Sequence, residues 1–280
     1  MSVEGRVERI DRIVEPRFRA GAPSRAAASH EILPATVAEP LVSINAPATV
    51  AADQYRALRH NLETLLQSAA PYVIAITSPS PGDGKTVTTL NLAGALAEKD
   101  DARVLVIDAD LRRASVAAYL GLPGHPTPGV ADALSEPRCD LSQIIRRVRG
   151  TNLSIALAGT PGSAPHELLG SARFEALLES ARREFSWVLI DTPPCVLMPD
   201  CRLIERLVDG FLLVIAAHKT PRRLVAEALH ELPRAKTLGV VFNGDDRASA
   251  SYYGYSGSHY DDSARRSRRG AWWKRVLGAR

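Results

Sequence analysis

The 280-residue sequence contains little cysteine, few aromatic residues and no long apolar run. Its cysteines, Cys139, Cys195 and Cys201, include no CxxC pair and no His/Cys group at zinc-ligand spacing, which argues against a disulfide framework or a zinc site. No stretch approaches the roughly 20 apolar residues of a membrane-spanning helix. The first residues, MSVEGRVERIDR, carry charges where a signal peptide is apolar. We therefore expect a cytoplasmic protein with reduced thiols.

Positive charge is concentrated at the end of the chain. Residues 261–280 hold seven Lys/Arg and two Asp, so they exceed the net charge of +4 and leave the rest slightly negative. A folded part without excess basic charge lacks the electrostatic footprint of a nucleic-acid-binding domain, so we expect no nucleic-acid partner. The same segment joins cations to Trp272 and Trp273, which fits contact with an anionic membrane surface and fits a solubilising tail equally well.

Composition and the spacing of apolar residues divide the chain into three parts. Residues 1–50 mix Ala, Pro, Ser and charges without a sustained period, which predicts a disordered linker. Residues 53–68 carry apolar side chains at helical spacing and are predicted to form an amphipathic helix. This helix begins a domain spanning 51–245, and we expect residues 246–280 to form a flexible tail.

Short apolar runs rich in β-branched residues recur through the domain and alternate with helical patterns. Such runs are typical of strands that are buried on both faces of a parallel sheet, which binds ligands at the carboxyl ends of its strands. We therefore predict an α/β fold with a mostly parallel central sheet and helices on both faces. The predicted strands are residues 72–77, 103–108, 153–158, 187–191, 210–217 and 237–243.

The sequence SPSPGDGKT at 78–86 follows one predicted strand and precedes a predicted helix. Gly82 and Gly84 permit a tight turn whose N–H groups point at phosphate oxygens, and the helix adds its positive dipole end. Lys85 is placed to reach the β- and γ-phosphates of a nucleotide, and Thr86 supplies a hydroxyl of the kind that binds Mg²⁺. The stretch therefore predicts a phosphate-binding loop.

Three carboxylates follow predicted strands. Asp108 and Asp110 end one strand two residues apart, and Asp191 ends another. Each Asp taken singly also fits a turn residue or a helix cap. Beside a phosphate loop, however, carboxylates at the carboxyl ends of core strands are hard oxygen ligands suited to Mg²⁺.

Three motifs, ITSPSPGDGKT, VLVIDADLRR and VLIDTPP, resemble the Walker A, A′ and B motifs of the bacterial tyrosine kinases. These are autokinases associated with capsule and exopolysaccharide synthesis, and the sequence is similar to the type without membrane spans. The resemblance runs from about Asp53 to Asn243. It implies a P-loop NTPase fold of the deviant Walker A, MinD-like superfamily, with ATP and Mg²⁺ as cofactors.

The resemblance also implies roles for individual residues. Asp108 is implied as the acceptor of the phenolic proton, although the choice of base stays open, and Arg112 is implied beside the phosphates. Asn243 is implied as a contact for the nucleotide base, and a turn-capping role fits it equally well. The implied catalytic residues are Lys85, Asp108, Asp110 and Arg112. The implied metal ligands are Thr86, Asp108, Asp110 and Asp191. The implied nucleotide-binding residues are Gly82, Asp83, Gly84, Lys85, Thr86, Val87, Asp191 and Asn243.

Two further features resemble the same family. Asp53, Arg56 and Arg59 have the spacing of its ExxRxxR motif, which implies a ring-like homo-oligomer, with Asp in place of Glu. A solvated helix face is the alternative for these charges. The tail tyrosines resemble the family's autophosphorylated cluster, which implies phosphorylation of one subunit by the next. They are Tyr252, Tyr253, Tyr255 and Tyr260. An aromatic docking segment is the alternative for this cluster.

The resemblance implies a membrane activator of the polysaccharide chain-length-regulator type, and recruitment of the chain to the inner face of the plasma membrane. Two other functions stay open. A Min- or Par-type partitioning ATPase shares the fold, but its signature lysine is replaced here by Ser80, followed by Pro81. A non-catalytic, nucleotide-gated scaffold fits three departures from the family pattern. They are Pro79, where the loop motif has glycine, Asp53, where the ExxRxxR motif has Glu, and Ala216, where relatives often have arginine.

Overall fold

The computed structural model describes residues 30–32, 37–66, 71–122, 128–160 and 165–244. The tail tyrosines, the basic segment 261–280 and most of the predicted linker lie outside these residues. Among the described helices, none combines the length and apolar content needed to cross a membrane.

Within the described residues, eight strands form one sheet in the order β1-β4-β5-β3-β6-β2-β7-β8. Neighbouring strands run parallel except for β4 and β5, which are antiparallel. The strands are β1 His30–Ile32, β2 Tyr72–Thr77, β3 Val104–Asp108, β4 Ile145–Val148, β5 Leu153–Ala156, β6 Trp187–Asp191, β7 Gly210–Ala216 and β8 Thr237–Asn243. The predicted mostly parallel α/β fold is confirmed, and all six predicted strands are present.

Helices cover both faces of this sheet. Alternate residues of each central strand enter one of two apolar clusters, so that Val73 and Ala75 lie on one face and Ile74 and Ile76 on the other. The helices are α1 Val42–Asn45, α2 Val50–Leu65, α3 Lys85–Ala97, α4 Val116–Tyr119, α5 Val130–Ser135, α6 Leu141–Ile144, α7 Pro165–Leu169, α8 Ala172–Glu184, α9 Asp200–Ile204 and α10 Arg222–Glu231. Two short 3₁₀ turns occupy Glu205–Leu207 and Arg234–Lys236.

The folded domain begins earlier than the predicted boundary at residue 50. Leu41 is fully buried, and α1 packs on α3. The amide side chain of Asn91 on α3 accepts a hydrogen bond from the Ser43 N–H and donates one to the carbonyl of Pro40. The missing side chain of Gly94 permits this close approach, because a Cβ there would lie 3.1 Å from that of Ser43. Residues 37–50 therefore belong to the domain rather than to a linker.

Helix α2 begins three residues before the predicted start because the Thr49 hydroxyl caps it by accepting the Ala52 N–H. Its charged residues bind within the chain. Arg56 contacts both Asp53 and Glu98, and Arg59 also reaches Glu98, just beyond the end of α3. The Arg56 guanidinium lowers the pKa of Glu98. In a single chain these guanidiniums thus join α2 to α3, and the predicted role of Asp53, Arg56 and Arg59 between subunits stays a prediction.

Candidate active site

The phosphate loop lies between β2 and α3, as predicted. Gly82 and Gly84 have φ angles of 84° and 95°, in the left-handed region that favours glycine. Gly84 is the N-cap residue of α3, and Lys85 and Thr86 are the first two residues of the helix. The N-terminal end of α3 and the side chains of Lys85 and Thr86 therefore meet at the carboxyl end of the sheet.

Asp83 holds the loop in shape. Its carboxylate accepts hydrogen bonds from the Ser80 N–H at 2.9 Å and from the Thr220 hydroxyl at 2.7 Å. Its backbone carbonyl accepts a bond from Asn243 Nδ2 at 3.0 Å. Both carboxylate oxygens of Asp83 are therefore occupied by hydrogen bonds within the protein. Asn243, predicted to contact a nucleotide base, lies against the loop and braces it.

Lys85 lies among the predicted carboxylates. Its Nζ is 2.9 Å from Asp110 Oδ2 and 3.7 Å from Asp191 Oδ1. The Thr86 hydroxyl donates to Asp191 Oδ2 at 2.6 Å. Asp108 and Asp191 stand directly opposite each other at the ends of the neighbouring strands β3 and β6. The structure thus brings the predicted lysine, threonine and three carboxylates together.

Burial and like charge perturb this group. Burial, together with the charge of Asp191, raises the pKa of Asp108 to about 8. Burial also raises the pKa of Asp191. For Lys85, burial lowers the pKa, but the charges of Asp191 and Asp110 outweigh burial and leave the pKa above its ordinary value. One ammonium among three carboxylates leaves the site short of positive charge.

The donor set fits a hard cation. Asp108 Oδ1 and Asp191 Oδ1 are buried oxygens without a hydrogen-bond partner in the described part of the chain, and only Asp191 Oδ1 has the Lys85 ammonium nearby, at 3.7 Å. A buried carboxylate oxygen without a hydrogen bond is costly unless a cation compensates it. No group of three or more acidic, His or Cys side chains there is arranged as a metal cage. Mg²⁺ in nucleotide sites is held by one or two carboxylates and by substrate phosphates, so it needs no cage. Thr86, Asp108 and Asp191 are the residues that would hold it.

A pocket of about 310 Å³ opens beside this group. Asp110 lines it, whereas Asp108 lies buried beneath, with its Oδ2 accepting the Val116 N–H. Position therefore favours Asp110 over Asp108 as the carboxylate that meets an acceptor hydroxyl. The other lining residues are Pro81, Gly82, Gly84, Lys85, Thr86, Val87, Arg112, Arg113, Ser115, Tyr119, Pro193, Pro194, Leu197 and Met198.

Sequence reasoning missed several residues that shape the site. Ser115 shares a hydrogen bond of 2.9 Å with the Thr86 hydroxyl, and Thr220 braces the loop from 137 positions away. No sequence motif around Thr220 indicates that it contacts the loop. Pro193 and Pro194 did have a local signal, since they directly follow the strand that ends in Asp191 and so must line the same edge of the sheet.

Comparison with known proteins agrees with this geometry. A family model described as an AAA domain matches residues 72–203. The tyrosine-protein kinase YwqD of Bacillus subtilis is 31% identical over 220 residues, which cover 78% of this chain and 91% of that protein. The succinoglycan biosynthesis transport protein ExoP of Rhizobium meliloti is 31% identical over 217 residues, which cover 76% of this chain but only 27% of that longer protein.

Among solved structures, the kinase domain of the Escherichia coli tyrosine kinase Etk superposes with a TM-score of 0.68 at 28% identity. The match covers 81% of this chain and 86% of that domain. With these relatives, the resemblance drawn from the Walker motifs is confirmed. The chain belongs to the bacterial tyrosine-protein kinases, a family of P-loop nucleotide-binding proteins.

Proposed function

We propose that the chain transfers the γ-phosphoryl group of ATP to the tyrosines of its own tail and so regulates capsular or exopolysaccharide synthesis and export. The observation that carries this proposal is the position of Lys85, which lies among three carboxylates at the end of a phosphate loop and beside an open pocket. Phosphoryl transfer requires mainly positioning and charge stabilisation, and this arrangement offers both.

The proposed reaction breaks the bond between the γ-phosphorus and the ADP oxygen and forms a bond from that phosphorus to a phenolic oxygen. A tyrosine phenol has a pKa of about 10, so only about one in a thousand is ionised at neutral pH. Asp110, which lines the pocket, receives the phenolic proton, and Lys85 and Arg112 stabilise the charge on the transferred group. Thr86, Asp108 and Asp191 would hold Mg²⁺, which would supply further charge neutralisation on the phosphates.

Relatives support the proposed pathway and partner. ExoP is named a transport protein of succinoglycan biosynthesis, and the region that matches this chain is 27% of its length. We infer that this chain acts with a separate membrane protein of the chain-length-regulator type. Contact of the basic segment 261–280 with an anionic membrane surface stays a prediction.

Transfer between subunits is expected. The expectation rests on Asp53, Arg56 and Arg59, whose spacing resembles the motif that packs neighbouring subunits of the family into a ring. When a Lys85→Met chain is mixed with a chain whose four tail tyrosines are Phe, phosphotyrosine should accumulate on the Lys85→Met chain. Mass spectrometry of the two chains, distinguished by isotope labelling, measures this. If the Lys85→Met chain carries no phosphotyrosine although both proteins are folded and co-assembled, transfer in trans is ruled out.

A further inference from the structure

The pocket has an apolar wall. Pro194, Leu197 and Met198 form it, and Leu197 is 58% exposed, so its side chain is accessible to a ligand in the pocket. Charged phosphate oxygens gain no favourable contact from an apolar wall beside Lys85 and Asp110. The wall suits the flat face of an aromatic ring, such as that of a phenol about to be phosphorylated.

Two arginines line the same pocket. Arg112 and Arg113 are exposed, and neither guanidinium forms an ion pair or a hydrogen bond with the described part of the chain. The Arg113 backbone N–H donates to Asp110 Oδ1 at 3.1 Å, which fixes this residue beside the carboxylate that lines the pocket. Arg112 is assigned to phosphate by the resemblance, so Arg113 is a positive charge without an assigned use.

The tail tyrosines differ in the residues that follow them. Tyr252, Tyr253 and Tyr255 are followed by Tyr, Gly and Ser, respectively. Tyr260 is followed directly by Asp261 and Asp262. Among the four, it alone would carry two carboxylates toward an arginine placed beside the phenol site.

We propose that Tyr260 of a second copy of the chain is the preferred acceptor, with its ring on the wall of Leu197 and Met198 and with Asp261 and Asp262 paired to Arg113. This inference rests on the proposed kinase function. It assigns Arg113 as a specificity-determining residue and defines the substrate class as a tyrosine followed by acidic residues.

The test measures binding of a fluorescent peptide, SGSHYDDSA, to the full-length chain with Mg²⁺ and a non-hydrolysable ATP analogue. The chain carries Tyr260→Phe, Asp261→Asn and Asp262→Asn, so that its own tail does not compete. Replacing both Asp of the peptide with Asn should weaken binding by about 3- to 10-fold, as expected for exposed ion pairs, and added salt should shrink this factor. With Arg113→Ala the two peptides should bind equally, and with Arg113→Glu a peptide with Lys in place of both Asp should bind best.

Arg138→Ala removes an exposed arginine away from the pocket and should keep the full difference between the peptides. The inference is overturned if neither peptide binds, or if the Asp peptide keeps its advantage in Arg113→Ala. Mass spectrometry of the wild-type chain after incubation with ATP and Mg²⁺, with and without the cytosolic peptide of a candidate membrane activator, separates the two proposals. Phosphotyrosine without preference for Tyr260 sinks only this inference. Peptide discrimination through Arg113 without any phosphotyrosine sinks the kinase function and leaves peptide recognition standing.

Discussion

Replacing Lys85 with methionine is expected to lower phosphotransfer to the tail by at least about 100-fold, the usual effect of losing a group that stabilises charge in the transition state. Methionine keeps most of the length of the side chain but removes the ammonium. Asp110 and Asp191 then lose the cation that lies 2.9 and 3.7 Å from their oxygens. Incorporation of phosphate from labelled ATP into the chain measures the effect.

Lys99→Met is the matched control for this substitution. Lys99 is exposed and pairs with Glu63 on the surface, so its loss should leave transfer within about twofold, because exposed ion pairs contribute little. Circular dichroism and thermal unfolding of both variants establish that they are folded. Full activity in a folded Lys85→Met chain would contradict the role assigned to this lysine.

Replacing Gly84 with alanine is expected to be the most damaging single-methyl change in the phosphate loop. The residue has a φ of 95°, which costs a side-chain-bearing residue roughly 1–2 kcal/mol, and its Cβ would lie 1.9 Å from Asn243 Nδ2. Asn243 must then move and give up its bond to the Asp83 carbonyl, which costs about 1 kcal/mol more. We expect a loss of roughly 2–3 kcal/mol in the free energy of unfolding, together with weaker nucleotide binding.

Gly82→Ala separates the two causes. Gly82 has a similar φ of 84°, but its Cβ would meet nothing within 4 Å, so only the backbone cost should be seen. In an Asn243→Ala background the steric conflict at Gly84 disappears, and Gly84→Ala should then cost about as much as Gly82→Ala. Urea unfolding and nucleotide titration of the four loop variants measure this coupling. An equal cost of Gly84→Ala in both backgrounds would mean that Asn243 does not brace the loop.

Local patterns predicted the strands that end at the site because those strands are buried on both faces and read as continuous apolar runs. Strand β4 escaped prediction because its Arg146 and Arg147 interrupt the run, and β1 because it has three residues and depends on pairing with β4. Neither strand has a signal of its own strong enough to compete with a loop. The pairing of β1 with β4 joins residues more than 100 positions apart, which a local pattern cannot contain, and β4 also pairs with the nearby strand β5.

The site shows the same division. Lys85, Thr86 and the three aspartates were predicted because phosphate loops and strand-end carboxylates leave local signatures. Asp108 lies below the pocket and Asp110 in its wall because of the path of the chain after β3. There the chain turns back, and the Val116 N–H donates to Asp108. The bracing of the loop by Thr220 and Asn243 arises from the packing of β7 and β8 beside β2, which spacing alone does not reveal.

The most direct test of the kinase function is the identity of the modified residues after incubation of the intact chain with ATP and Mg²⁺. The reaction is run with and without the cytosolic peptide of a candidate membrane activator, and phosphotyrosine is mapped by mass spectrometry. We predict phosphotyrosine within residues 252–260, with Tyr260 modified first, and none in Lys85→Met alone. Hydrolysis of ATP without any phosphotyrosine, under both conditions, would contradict the account.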